Sequence, residues 1–205
     1  MKYVLNAFVM ICALGFFAAP AFAEKLSSDN VSKFVKALPD VEVFSEGLHK
    51  EGKDKELNVA LQPKLGEKSY APYLMGIEIM KEKLPSDYAK LGDIVKKHDF
   101  QSQEDWANTG DGVMLAYMAI KIDQENPNAL KQLRDIPEAS KAKMPPAQQA
   151  QLDQSIRMME IFTSAPKEDR EAVKPHMNEI AAWLERSKSK ENKEAPAEPA
   201  KKPAE

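Results

Sequence analysis

The sequence predicts an all-α protein, an irregular orthogonal bundle of about eight short helices. Apolar residues recur at spacings of three and four along most of the chain, the stripe a helix needs to face a core. No segment alternates apolar and polar residues over strand length, and Asp111-Gly112 sits inside a helical pattern rather than between β-branched runs. The 14 prolines fall mostly at the ends of periodic segments, so the helices are expected to be short and their connections angular.

Val31, Phe34, Val35 and Leu38 mark the first helix, capped at Ser28 or Asp29 and stopped by Pro39. Val41, Phe44 and Leu48 mark a second, ending near Gly52. Tyr73, Ile77, Met80 and Leu84 form the next up to Pro85, and Tyr88, Leu91, Ile94 and Val95 continue the pattern as far as His98. Ser102 and Asp105 make a capping-box-like start for the central helix. On it Trp106, Gly110, Val113, Tyr117 and Ile120 share one face, while Met114, Leu115, Met118 and Ile122 spread apolarity around the rest. Val113 to Ile122 should therefore be buried on most sides, and Gly110 on the inner face implies a close backbone approach. The segment is read as continuous across Thr109 to Gly112.

Pro127 ends that helix, and Leu130, Leu133 and Ile136 give a short one before Pro137. Pro145 or Pro146 opens the next, with Leu152, Ile156 and Met159 inward. Val173, Met177, Ile180 and Leu184 line the last, kinked or restarted at Pro175.

Three regions are expected. Residues 1–23 have the layout of a signal peptide: Lys2, an apolar stretch from Val4 to Phe17, Pro20, and Ala-Phe-Ala ahead of Glu24. Residues 24–186 form the helical domain, and residues 187–205, rich in Lys, Glu, Ala and Pro without a large apolar side chain, form a disordered tail. Cys12 is the only cysteine and lies in the leader, behind Ile11 where lipid attachment requires a small residue, so disulfide and thiolate chemistry are excluded from the mature chain. Such a chain fits the bacterial periplasm, with no stable membrane span after cleavage. With 29 basic against 32 acidic residues there is no general electrostatic drive toward nucleic acid.

Catalytic, metal and cofactor signals are lacking. His49, His98 and His176 fall on different helices with no second ligand at metal spacing. Ser140–Lys143 and Ser164–Lys167 match the Ser-x-x-Lys of serine β-lactamases and Ser28-Asp29-Asn30 another of their motifs, but the order is wrong, Lys-Thr-Gly is missing, and the sheet such enzymes need is not expected. Eight scattered glycines supply no phosphate loop. Methionine stands out instead. Met158, Ile161 and Phe162 cluster on one side of the helix after Pro146, and Trp183 edges the last helix; these four are the candidate apolar binding surface.

Trp106-Ala-Asn-Thr-Gly-Asp-Gly-Val-Met-Leu-Ala-Tyr, together with Met144-Pro-Pro-Ala-Gln-Gln-Ala-Gln-Leu, resembles small signal-bearing helical periplasmic proteins of proteobacteria, over Tyr70 to Leu184. That resemblance implies compartment and fold and carries over no catalytic residue. The second motif also resembles the Leu-Thr-x-x-Gln pattern of periplasmic stress chaperones, with Met144 and Pro145 in place of Leu and Thr. The expectation is an exported, non-enzymatic binding or interaction protein that takes apolar segments of exported proteins or a lipid-like ligand. A chaperone-like envelope stress factor is the alternative, and an envelope-acting hydrolase the third reading. The sequence pattern fixes no oligomeric state.

Overall fold

The computed structural model describes residues 25–54, 57 and 71–194, with side chains described as far as Ser187. Every regular element among them is helical: α1 (Ser28–Lys50), α2 (Pro72–Lys83), α3 (Pro85–Lys97), α4 (Gln103–Glu125), α5 (Ala129–Arg134), α6 (Glu138–Lys141), α7 (Pro146–Thr163), α8 (Lys167–Val173), a 3-10 turn (Lys174–His176) and α9 (Met177–Glu194). The expected signal peptide and residues 195–205 lie outside the described residues.

α4 is the axis of the bundle. It packs against α1, α2, α3, α7 and α8, and eleven of its 23 residues are buried, from Trp106 to Ile120. A helix surrounded on so many sides needs apolar residues on most of them, which explains why its stripe is so broad. Ser102 Oγ accepts from the Asp105 amide at 3.0 Å, while the Asp105 carboxylate accepts from Gln101 N at 3.1 Å. The expected box is thus present, its carboxylate satisfying the amide one residue before the cap. The helix runs unbroken through Thr109 to Gly112.

α1 corrects the expected break at Pro39. One helix spans both predicted segments, with Pro39 inside it and exposed. Val31, Phe34 and Leu38 before the proline and Val41, Phe44 and Leu48 after it continue a single stripe against the core. Burial of that shared face outweighs one lost backbone hydrogen bond. The cap is Ser27 rather than Ser28 or Asp29, its Oγ accepting from Asn30 N at 3.0 Å. Replacing Pro39 by alanine is expected to stabilise the protein by about 1–2 kcal/mol, the restored helical bond being partly offset by greater freedom of the unfolded chain. Urea unfolding of P39A against the parent measures it.

The end of α1 was legible. Gly52 adopts φ +72°, and Lys53 N returns to Leu48 O at 2.9 Å, the left-handed closure that favours glycine. Asp99 does the same after α3 at φ 61°, with Phe100 N on Val95 O at 3.2 Å, and there a non-glycine residue bears the strain.

At the other end, Pro175 falls within the 3-10 turn that separates α8 from α9, the expected restart. α9 continues to Glu194, eight residues beyond the boundary expected at Arg186. Lys and Glu are good helix formers, so a helix already anchored by buried Ile180 extends through a segment that has no core of its own.

Leu26 ties the leading segment to the rest. Its side chain is buried against Gly112, where an added Cβ would lie 3.2 Å from Leu26 Cδ2. Its amide donates to Asp169 Oδ1 of α8 at 3.0 Å.

Candidate functional site

The expected apolar surface is carried mainly by α7. Pro146 occupies its first turn without sacrificing a helical hydrogen bond. Arg170 of α8 fastens the other end: Nη2 donates to Thr163 O at 3.1 Å, Nε to Ala165 O at 2.9 Å, and Nη1 to Asp123 of α4 at 2.8 Å. An Arg134–Glu160 pair at 2.6 Å joins α7 to α5. α7 packs on α4 and α5, and in its 18 residues only Phe162 is buried. Leu152, Ile156, Met158, Met159 and Ile161 are half-buried.

The four predicted residues are thus divided. Met158 and Ile161 stay at the surface of α7, Phe162 is 7% exposed, and Trp183 sits on α9, whose packing partners are α1 and the 3-10 turn. Trp183 packs against the main core with its indole N–H enclosed and unpartnered. Burying large aromatic surface draws both rings inward. The other aliphatic and thioether side chains of α7 are half-buried.

A second arrangement went unread in the sequence. α2 begins at Pro72, and Ala71 before it has no side chain to cap the first amides. Asp111 of α4 does so from across the interface: Oδ1 accepts from Tyr73 N at 2.8 Å and Oδ2 from Leu74 N at 3.0 Å. The carboxyl is buried and among the described residues no cation pairs with it, so burial pushes its pKa up to about 7 against the downward pull of the two amides. Around it lie three rings in mutual contact. Phe34 stacks on Trp106 at 5.7 Å between centroids, and Tyr73 meets both edge-on at 5.7 and 5.4 Å. The Tyr73 hydroxyl and Trp106 Nε1 are buried without a partner. Burial, with the Asp111 charge adding to it, raises the Tyr73 phenol far above its ordinary value. The close approach expected at Gly110 is here: a Cβ would stand 2.7 Å from Phe34 Cε2 and 3.1 Å from Tyr73 Cγ. Two features could have revealed Asp111. It is an acid within a helix apolar on most sides, and α2 has free amides with no local cap.

The remaining buried acids are also accounted for. Asp87 accepts from Lys53 and Lys90, each at 2.8 Å, and these cations hold its carboxyl below the usual range. Asp169 holds the Leu26 amide. Each histidine meets a carboxylate: His98 Asp40 at 2.9 Å, His49 Asp54 at 2.7 Å, His176 Glu179 at 3.2 Å. Among the described residues no three of His, Cys, Asp or Glu are grouped to hold a metal ion, and no helix is long and apolar enough to cross a membrane. A solvent-open recess of about 470 Å³ lies beside α8, lined by Leu26, Ser28, Lys167, Glu168, Glu171 and Ala172. It contains neither a histidine nor a buried carboxylate, so no activated nucleophile or tuned acid–base pair is assembled there.

No family model, no curated protein and no solved structure matches the chain.

Proposed function

We propose that the chain is an exported, periplasmic interaction protein that acts by contact, without bond-making, and takes apolar segments of other exported proteins on the outer face of α7. The signal-peptide layout of residues 1–23 supports the compartment. One observation carries the binding reading: in the 18 residues of α7 only Phe162 is buried, so Met158 and Ile161 on its side of the helix and Leu152, Ile156 and Met159 on the other are all half-buried. Unbranched thioethers adapt their shape to unlike partners, which suits a surface meeting many sequences. The expected surface is narrowed accordingly to Met158 and Ile161 with their α7 neighbours, without Phe162 and Trp183.

Site-specific photo-cross-linking in intact cells tests it. A cross-linker at Met158 or Ile161 is expected to capture exported proteins, and one at exposed Lys36 of α1 is not. Equal capture at all three positions, or no capture at Met158 and Ile161, refutes the binding face. Amino-terminal sequencing of the chain recovered from the periplasmic fraction is expected to begin at Glu24, which tests the compartment separately.

A further inference from the structure

Residues 126–164, which carry α5, α6 and α7, leave the end of α4 and return at α8 without burying themselves in the body. From Lys121 to Ile161 no residue is buried. Phe162 is the one buried side chain of this arm, and it stands apart from the main core cluster, which resumes at Ala165. The arm is nonetheless tied together internally. α5 packs on α7, and Arg134 pairs with Glu160 at 2.6 Å. Asn126 Nδ2 donates to Gln132 at 3.2 Å, and Gln149 Nε2 donates to Lys141 O and Met144 O at 3.1 and 2.9 Å. Each end of the arm is a short extended step at a proline: Asn126 (φ −154°, ψ 78°) before Pro127, and Pro166 (φ −56°, ψ 146°) after Ala165. One guanidinium spans both ends. Arg170 Nη1 holds Asp123 in the last turn of α4 at 2.8 Å, while Nη2 and Nε hold Thr163 O and Ala165 O where the arm returns. Among the described residues, every side-chain hydrogen bond between residues 126–164 and the rest of the chain is made by Arg170.

We infer that residues 126–164 form a hinged lid that swings off α4 as one body, with Arg170 as its clasp. The physical basis is unequal stability: a segment opens by itself where it buries few apolar groups, and only with the whole fold where the core is dense. Leu130, Leu133, Ile156 and Met159 of the arm are half-buried, whereas α4 carries eleven buried residues. Detaching α7 from α4 therefore exposes less apolar surface than unfolding the body does. The bonds within the arm travel with it, and those of Arg170 at its two ends are the ones that give way. The ion pair of that clasp is weak, with Asp123 55% and Arg170 28% exposed, so solvent screens it and the lid opens while the body stays folded. The lid goes beyond the binding reading and holds whether or not α7 takes a partner.

Native-state amide hydrogen exchange of the mature protein tests the lid. The amides of Ile156 to Ile161 are expected to share a single opening, about tenfold or more less protected than Tyr117 in the middle of α4. Two substitutions separate that opening from global unfolding. Ile77→Val trims the body, where Ile77 is 2% exposed, and should lower Tyr117 protection by about two- to tenfold. It should leave the α7 amides unchanged, because the contacts of Ile77 survive when the lid opens. Asp123→Ala removes the exposed partner of the clasp and should lower α7 protection by about two- to fivefold. Tyr117 should fall by the same factor, since global unfolding breaks the same pair. Equal protection of α7 and Tyr117, values scattered from residue to residue along Ile156 to Ile161, an equal response of both to I77V, or no response of α7 to D123A would each overturn the proposal. Should D123A not fold, I77V leaves the clasp intact and decides by itself.

Discussion

Phe34→Ala is expected to lower the unfolding free energy by about 3–5 kcal/mol, the range for deleting an aromatic ring from a packed interior. The ring is fully buried, contacts Tyr73 and Trp106, and fills the space above Gly110. That last contact makes a sharper test. Gly110→Ala alone should cost about 2 kcal/mol, because its Cβ would meet a Phe34 ring hemmed in by two others. In the Phe34→Ala background the same methyl enters vacated space, and its cost should vanish or change sign. A double-mutant cycle by urea unfolding is therefore expected to give a coupling of about 1–3 kcal/mol. Simple additivity would mean that Gly110 is present for some reason other than the ring.

Asp111→Ala is expected to cost about 2–5 kcal/mol at pH 6, since it leaves the part-buried Tyr73 and Leu74 amides without their acceptors. The loss should be smaller at pH 8.5. In the parent burial raises the folded-state pKa to about 7, so the stability contributed by proton binding is full below the ordinary carboxylate range, declines as pH rises from there to about 7, and is lost above it. Alanine abolishes the favourable capping at both pH values but also removes a protonation penalty that is larger in the parent at the higher one. Thermal unfolding of both proteins at the two pH values provides the comparison. An equal difference in Tm at pH 6 and 8.5 would mean that the carboxyl does not change its protonation in the folded protein over this range.

Most of the architecture was written locally. The stripes of α2, α3, α4 and α7, the Ser102 cap, the Gly52 stop, the Pro175 restart and the close approach at Gly110 all depend on residues within one or two turns of each other. Pro39 was misread because a local penalty was weighed without the tertiary face that carries α1 past it. α9 runs past Arg186 because a helix seeded by Ile180 needs only favourable propensity to continue. Of the candidate surface, the sequence showed that α7 carries apolar residues on both sides, but not which side faces α4 and α5. Phe162 was therefore placed outside when it is buried. The partners of Asp111 are harder to read: they are backbone amides 37 and 38 residues away, and only the acid's place in an apolar helix and the uncapped start of α2 point to them.

The bond from Leu26 to Asp169 joins positions 143 residues apart. A loop of that length closes slowly, because its entropy must be spent before any contact compensates. Leu26 cannot settle over Gly112 in its final form until α8 exists, so the first segment of the helical body is completed only when the last quarter of the chain has been made.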